Sequence, residues 1–392
     1  MKILFYRYGS ICEPDLIECF EHAGIEVIQD TTQIADKNTP GSHTVMAISS
    51  KLKEDAFIFV FTINFFPAIS DTCELFNVPY VCWTVDSPVM ELFSESVKNK
   101  CNRIFFFDRM QYEYFGLGNG HYFYLPLATN VNRWEKAIKN ATPTDIAKFG
   151  TEISMVGSLY SEKNPYAGIK GLSAKTKGYI DGIINAQLQV YGYNFIESLL
   201  TDEIMAEFVK KVPDLTLSPY ANLFSPKYVM ANFFIGMELA YRERIKVLNG
   251  LSEKHKVDLY TFSDTTPVPK VISHKGAKSL TEMPIIFNKS KINLNITIKP
   301  IQTGMSLRVF DVMGCCGFLM TNFQSELPEY FEIGKDLEAY SSYEELLDKC
   351  DYYLAHEEER EAIALSGYEK VKKYHTYEAR FIDMIKLINQ TL

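Results

Sequence analysis

The sequence predicts an α/β fold with two doubly wound, Rossmann-like parallel sheets in tandem. Short apolar segments of strand length alternate with amphipathic segments of helix length, which is the pattern of βαβ units. The alternation occurs twice, on either side of a polar stretch at residues 130–150, and 392 residues is about the length of two domains. Because ligands of such sheets bind outside the carboxyl ends of the strands, we expect a cleft between the two domains.

The first half contains six apolar segments that predict strands, most of them followed by a helical pattern. Pro14 near the first turn and the apolar residues 16, 17 and 20 predict a helix directly after the first strand. The predicted strands are residues 2–6, 26–29, 55–63, 80–85, 103–107 and 121–125, and the other predicted helices are 68–76, 89–97 and 109–115.

The second half resumes the α/β rhythm after a long interruption. A strand at 153–156 runs into a glycine turn, and residues 164–230 then read as a polar helical insertion without clean strand signals. Later strands are predicted at 257–262, 291–296 and 317–321, and helices at 238–251, 285–290, 305–313, 342–354 and 357–374. The predicted domains are therefore 1–145 and 146–375, followed by a last helix at 376–392.

Composition excludes several classes of protein. A net charge of −9 argues against a nucleic-acid binder, which usually carries a basic surface. No apolar run reaches the roughly 20 residues of a transmembrane helix. Eight cysteines without a CxxC pair or a secretory signal read as reduced thiols, so we expect a cytoplasmic protein. The seven histidines show no paired ligand spacing, and no metal is expected.

The loop and helix at 302–314 carry the strongest chemical signal from the residues alone. A strand ends, a polar loop with Gly304 follows, and a helix begins near Ser306. Free N–H groups at a helix start and the helix dipole favour a phosphate, and Arg308 lies within the first turn. Asp311 lies three residues further on the same face and could accept ribose hydroxyls. An ordinary surface helix with an internal Arg308–Asp311 pair explains the pattern equally well.

Ten short motifs follow one another in an order and spacing that are fairly specific together. They lie at 83–88, 107–109, 124–128, 156–160, 290–295, 304–317, 318–321, 327–329, 334–336 and 374–380. With these motifs, most of the chain outside the helical insertion resembles the spore-maturation type of GT-B glycosyltransferases and the companion N-terminal domain often fused to them. The resemblance implies a nucleotide-sugar donor bound by the second domain, no required metal or other cofactor, and a last helix that crosses back to the first domain.

The resemblance also implies roles for individual donor-binding residues. Asp311 stands where GT-B enzymes often place a ribose-binding acidic residue, and Arg308 would neutralise the leaving diphosphate. The residues expected to contact the diphosphate through backbone and hydroxyl donors are Thr303, Gly304, Met305 and Ser306, together with Gly157 and Ser158. The nucleobase is expected on the loop that carries His274 and Gly276.

The first domain is expected to bind the acceptor. Asp86 follows a predicted strand and precedes Ser87-Pro88, so it is either a general base or the cap of the next helix, and the cap is slightly favoured. Asp108, before Arg109, offers the same two roles and an ion pair. Arg7 would contact acceptor or donor phosphate, or be a solvated loop charge.

These expectations combine into a metal-independent glycosyltransferase. It would move a sugar, with a UDP-sugar as the expected donor, to a hydroxyl of a protein such as flagellin, a polysaccharide or a small molecule. Two rival hypotheses are a nucleotide-sugar epimerase of the same fold and a non-catalytic two-domain ligand-binding protein.

Overall fold

The chain forms two compact units in a computed structural model that describes residues 1–37, 39–116, 120–212, 215 and 222–390. The first unit contains Met1–Leu127, the C-terminal helix, and a short piece in which the N–H groups of Asn222 and Leu223 donate to the carbonyl of Phe93. The second unit contains Ala128–Leu215 and Ser225–Thr376. No helix in the described ranges has the length and apolar character needed to cross a membrane.

The first unit has one parallel sheet of six strands in the order β2-β1-β3-β4-β5-β6. The strand order reverses next to β1, as in a doubly wound sheet. The strands are β1 Lys2–Tyr6, β2 Glu26–Asp30, β3 Val60–Ile63, β4 Tyr80–Trp83, β5 Asn102–Phe106 and β6 Tyr122–Tyr124. The helices of this unit are α1 Glu13–His22, α2 Thr32–Ala35, α3 Gly41–Glu54, α4 Pro67–Phe76, α5 Arg109–Gly116 and, at the C-terminus, α18 Tyr377–Asn389.

The second unit has a parallel sheet of six strands in the order β12-β11-β10-β7-β8-β9. Here the order reverses between β7 and β10. The strands are β7 Ile153–Val156, β8 Val257–Tyr260, β9 Ile272–His274, β10 Ile292–Asn295, β11 Leu319–Asn322 and β12 Glu338–Tyr340. Helices that flank the sheet are α6 Val131–Lys139, α7 Pro143–Phe149, α12 Gly236–Ser252, α13 Met283–Lys289, α14 Leu307–Gly314, α15 Leu327–Tyr330, α16 Tyr343–Ala355 and α17 Glu357–Tyr374.

The described part of the segment between β7 and α12 consists of helices joined by loops and contains no strand. Its helices are α8 Ala174–Gln187, α9 Ile196–Leu199, α10 Asp202–Lys211 and α11 Pro226–Val229. A π-helical stretch, Met230–Ile235, then continues directly into α12. Part of the predicted insertion, residues 213, 214 and 216–221, lies outside the described residues.

Each sheet is covered by its own apolar core, and this explains the strand sequences. Strands buried on both faces read as nearly continuous apolar runs, as in β5 with Ile104 and Phe106 fully buried. In the second unit, Leu294 and Leu259 of the central strands pack with Leu248 of α12 in one cluster. The burial of these side chains supplies the main driving force for folding.

Several element boundaries differ from the sequence-based expectation. The predicted helix at 89–97 is two short 3₁₀ turns, Met90–Phe93 and Glu95–Lys98. The polar stretch at 130–150 contains helices α6 and α7, and the chain enters the second unit at Ala128. Helix α7 begins with a capping box in which the side chains of Thr142 and Asp145 bond each other's backbone N–H groups. This motif favours a helix at a place where the polar composition had predicted a linker.

Two helical glycines differ in the space around them and predict opposite effects of alanine. A Cβ at Gly367 in α17 would overlap the carbonyl oxygen of Asp336, whereas nothing lies within 4 Å of one at Gly178 in α8. We expect Gly367→Ala to lower the free energy of unfolding by about 1–3 kcal/mol through overpacking. Gly178→Ala should raise it by about 0.5–1 kcal/mol because alanine loses less backbone entropy. Chemical denaturation of both variants measures this, and equal effects would contradict the packing described for α17.

Candidate functional site

The strand order places the candidate site of the second unit at the carboxyl ends of β7 and β10. Helical connections leave these neighbouring strands in opposite directions along the sheet, which opens a crevice beyond their ends. The loops that follow β7 and β10 contain most of the predicted donor-binding residues, including Gly157, Ser158, Gly304 and Ser306. The residues expected to bind the donor phosphates therefore belong to two adjacent loops.

Two buried amide side chains, Asn322 at the end of β11 and Gln324 just after it, hold the loop that follows β10. Asn322 Oδ1 accepts from the N–H of Thr297 at 2.7 Å, and its Nδ2 donates to the carbonyl of Thr297 at 2.9 Å. Gln324 Nε2 donates to the carbonyls of Ile301 and Gly304 at 2.9 and 3.1 Å. The loop is thus fixed in shape, which suits a site that recognises its ligand through backbone groups.

The predicted diphosphate contacts of this loop have different environments. Thr303 Oγ1 donates to Glu326 at 2.6 Å, and Met305 is only 1% exposed, so both side chains already pack within the protein. Ser306 is the N-cap of α14, with an extended backbone, and its side chain does not cap the helix. The start of α14 therefore has no side-chain acceptor from its own cap residue, and an anion can take that role.

Arg308 and Asp311 face the helical layer beside the sheet. The Arg308 guanidinium lies against Met283 and over the ring of Phe287 in α13, and one of its nitrogens is 3.6 Å from Asp311 Oδ2. Asp311 is 4% exposed, and its Oδ1 accepts a hydrogen bond from Thr129 Oγ1 at 2.8 Å. The guanidinium of Arg308 is thus engaged in helix packing, and its predicted diphosphate role stays a prediction. The ribose contact predicted for Asp311 stays a prediction.

The loop after β7 is held by hydrogen bonds within the loop and by one hydrogen bond to the loop after β8. Ser158 Oγ accepts from the N–H of Tyr160 at 2.7 Å and donates to Glu162 at 2.6 Å. The N–H of Leu159 donates to Ser263 Oγ at 2.8 Å. Nothing lies within 4 Å of a Cβ placed on Gly157, so its surroundings are open.

Arg244, which the sequence reasoning did not select, connects the loops after β7 and β10. Its guanidinium lies over the ring of Tyr160 at 4.4 Å, and Nη2 donates to the carbonyl of Ile296 at 2.6 Å. The residue is 7% exposed, and Nε and Nη1 have no hydrogen-bond partner in the described part of the protein. Buried cationic donors without partners are costly. They make Arg244 a candidate contact for an anionic ligand.

A second buried cation, Lys299, lies in the loop after β10. Lys299 is 4% exposed, its Nζ is 3.5 Å from Glu243 Oε1, and it lies 3.8 Å from the centre of the Tyr191 ring. Burial lowers the pKa of Lys299, and Glu243 opposes that effect. The carbonyl of Lys299 accepts from Asn194 Nδ2 at 3.0 Å, so the helical insertion contacts this loop directly.

The predicted nucleobase loop holds an exposed aromatic ring. Phe262, just beyond β8, is 87% exposed, and its ring lies so close to Gly276 that a Cβ there would overlap it. One region of the ring thus rests on backbone while most of it faces solvent. His274 stacks on Tyr260, with ring centres 4.5 Å apart, and its Nε2 is 2.6 Å from Asp258 Oδ1. The His274 ring is therefore occupied by contacts with Tyr260 and Asp258 of β8. The ring of Phe262 is exposed and could stack on a ligand.

In the first unit, polar side chains from three neighbouring loops meet at the carboxyl edge of the sheet. Asn64 follows β3, and its Nδ2 donates to Asp86 Oδ2 at 2.7 Å and to the hydroxyl of Tyr8 at 3.0 Å. Asp86 is exposed and is not a helix cap, because the next turn begins after Val89. The favoured capping interpretation of Asp86 is thus wrong. Burial raises the pKa of Tyr8, and the charge of Asp86 raises it further.

Asp108 and Arg7 have structural partners. Asp108 is 1% exposed, and its Oδ1 accepts from the N–H of Met110 at the start of α5. Arg7 Nε donates to the fully buried carboxylate of Glu13 at 3.0 Å, and its Nη1 donates to Gln29 at 2.8 Å. Asp86 is therefore the more accessible carboxylate of the two predicted bases.

The described residues contain no group of three or more His, Cys, Asp or Glu side chains arranged for a metal ion.

Sequence signals for the overlooked residues exist in retrospect. Arg244 shares a helical face with Ala240, Val247 and Leu251, all buried, and a cation on an apolar helical face is unusual. Phe262 is a large aromatic residue placed between a strand and a polar turn. Neither pattern predicts the direction of the side chain, so the sequence alone does not identify Arg244 and Phe262 as site residues.

The buried carboxyl of Asp311 predicts a measurable pH dependence of stability. Burial raises its pKa to about 6, while Arg308 and Thr129 oppose the rise. Since the folded state holds this proton more tightly than the unfolded state, ionisation destabilises the fold as pH rises from about 4 to about 6. Relative to Asp311→Asn, the wild-type protein should lose up to about 3 kcal/mol of unfolding free energy across that range. Urea titrations at several pH values measure the difference, and a constant difference would contradict the raised pKa.

Comparisons with known proteins bear on the fold and on the family. Residues 244–386 match a family model described as glycosyl transferase-like. No curated protein sequence matches the chain. A structure of Anabaena HepE in complex with UDP and glucose is similar, with a TM-score of 0.56, 10% identity and 100% of both chains covered. Sucrose-phosphate synthase from Thermosynechococcus elongatus gives a TM-score of 0.54, with 12% identity over 100% of this chain and 98% of that one.

A third similar structure is the UDP-forming trehalose-phosphate synthase from Burkholderia xenovorans. Its TM-score is 0.52 with 11% identity, and 99% of this chain and 98% of that chain are covered. At these identities the likeness concerns the fold. The chain therefore has the two-domain α/β fold of the GT-B class, and the match to the glycosyl transferase-like family model lies mostly in its second unit.

Proposed function

We propose that the protein is a glycosyltransferase that binds a UDP-sugar in its second unit and transfers the sugar to an acceptor hydroxyl. The observation that carries the proposal is Arg244, a buried cation with two unpartnered nitrogens between the loops that follow β7 and β10. A diphosphate supplies the charge and the acceptor oxygens that this site lacks. The family-model match over residues 244–386 supports the same activity.

The proposed donor site has separate places for the diphosphate and the nucleobase. The diphosphate lies against Arg244 and the start of α14, with Lys299 as a second cation. The nucleobase stacks on the exposed ring of Phe262. Uracil is the proposed base because Anabaena HepE, a structure of similar fold, was solved with UDP-glucose. The closer assignment to the spore-maturation type is part of this proposal and rests on the sequence motifs.

We propose Asp86 as the general base of the transfer. Its carboxylate takes the proton of the acceptor hydroxyl as the oxygen bonds to the anomeric carbon, and the bond from that carbon to the diphosphate oxygen breaks. The leaving UDP is stabilised by Arg244 and the α14 N-terminus, without a resident metal ion. The acceptor is a hydroxyl of a protein, polysaccharide or small molecule.

The base-stacking role predicts that Phe262→Ala weakens UDP binding. Loss of base–aromatic stacking should cost about 1–3 kcal/mol of binding free energy. Leu75→Ala is the matched control, because Leu75 is 82% exposed and lies in the first unit. Calorimetric titration of UDP, with and without EDTA, measures the affinities. Equal affinity of wild type and Phe262→Ala, or loss of binding with EDTA, would contradict these assignments.

The diphosphate role predicts a selective effect of Arg244→Lys. The substitution keeps the charge but loses the planar set of donors, so UDP affinity should fall about tenfold or more. The affinity for uridine, which has no phosphate, should stay unchanged. If both affinities fall together, Arg244 supports the fold of the site and does not contact phosphate.

The base role predicts that Asp86→Asn removes transfer activity without affecting donor binding. We expect kcat to fall about 10²- to 10⁴-fold while the Kd for UDP is unchanged. Glu21→Gln, an exposed carboxylate on α1, is the control. Release of UDP from a UDP-sugar in the presence of acceptor reports the rate, and an unchanged kcat would rule out Asp86 as the base.

A further inference from the structure

The second unit contains a polar cavity of about 480 Å³ that is lined in part by the helical insertion. Its volume falls in the usual range of small-molecule pockets, roughly 300–1,000 Å³. Its walls come from the turns after β7, from α8 and from the first half of α12. The lining side chains that matter here are Ser161, Asn164, Tyr166, Lys177, Tyr241 and Arg242.

A chain of hydrogen bonds fixes the polar wall of this cavity. Arg242 Nη2 donates to Asp181 at 2.8 Å, and its Nε donates to Glu238 at 2.6 Å. The other oxygen of Glu238 accepts from Asn164 Nδ2 at 2.5 Å. Asn164 in turn caps the short helix at Pro165–Gly168. These side chains are held in place before any ligand binds, which lowers the entropic cost of binding.

Two groups on the wall have unused hydrogen-bonding capacity. Tyr166 is 8% exposed, and its buried hydroxyl has no hydrogen-bond partner in the described part of the protein. Burial raises the pKa of Tyr166 to about 12, so the hydroxyl remains a neutral donor and acceptor. Arg242 uses Nε and Nη2 for its carboxylate partners, so Nη1 remains for a ligand.

The charges of the cavity favour a neutral ligand. Two carboxylates, Glu238 and Asp181, already compensate Arg242. The remaining cation, Lys177, is exposed. Fixed amide, carboxylate, guanidinium and phenol groups, with the rings of Tyr166 and Tyr241, suit a ligand that has many hydroxyl groups and apolar C–H faces.

We infer that this cavity is a binding site for one neutral sugar unit, separate from the nucleotide site. Ser161 lies three residues beyond Ser158, so the cavity adjoins the loop assigned to the donor. The identification of this sugar as part of a glycan acceptor rests on the proposed function. The sugar site itself does not.

Saturation-transfer NMR titrations of the full chain without nucleotide test the site. The probes are the methyl glycosides of glucose, galactose, mannose and N-acetylglucosamine. We expect at least one to bind, and Tyr166→Phe to weaken it about three- to tenfold by removing one hydrogen bond. Ala167→Trp, at an exposed lining position, should abolish binding by filling the cavity. Tyr179→Phe is the matched control, since its hydroxyl donates to the carbonyl of Leu199 and Tyr179 is not a lining residue.

The outcomes separate this site from the donor site. Failure of every glycoside to bind, or binding that Ala167→Trp leaves intact, overturns the inference, as does binding of inorganic phosphate in place of sugars. Thermal melting confirms that the variants fold. If a glycoside binds in the cavity and UDP does not bind at all, the sugar site stands and the proposed transferase function falls.

Discussion

The candidate donor site depends on the parallel pairing of β7 with β10. Ile292 pairs with Ile153, and Asn293 with Ser154, whose side chains are also hydrogen-bonded at 3.0 Å. The chain leaves these adjacent strands toward opposite ends of the sheet, so their following loops diverge and leave a crevice. The residues proposed to bind the donor lie in the loops after β7, β8 and β10. The exception is Arg244, which extends from α12 to the loops after β7 and β10.

The loops themselves keep their shape through polar side chains that the core buries. The segment after β10 has left the sheet, so its backbone groups no longer bond to a neighbouring strand. Asn322 and Gln324 bond to these groups instead. Arg244 also bonds to a backbone carbonyl, that of Ile296, but its Nε and Nη1 groups have no hydrogen-bond partner in the described residues. A buried group with unused capacity costs free energy in the isolated protein, and a bound anion recovers it. Binding of the proposed donor diphosphate would therefore stabilise these loops.

The fold could be predicted largely from the sequence, because buried parallel strands such as β3 and β5 leave continuous apolar runs. The loops of the site could also be located, since they follow those strands. The functional side chains were harder to identify. Arg308 and Asp311 have the right spacing for a nucleotide site, yet α14 turns them toward α13 and Thr129. Arg244 and Phe262 depend on distant partners, namely Ile296, Tyr160 and Gly276, which no local pattern reveals.

Hydrogen–deuterium exchange of the full chain with and without UDP tests the central claim most directly. The account predicts slower exchange in three segments of the second unit, at residues 157–160, 261–264 and 296–308. Slower exchange confined to the first unit, or no change at a UDP concentration a hundredfold above its measured Kd, would contradict a donor site at the carboxyl ends of β7, β8 and β10.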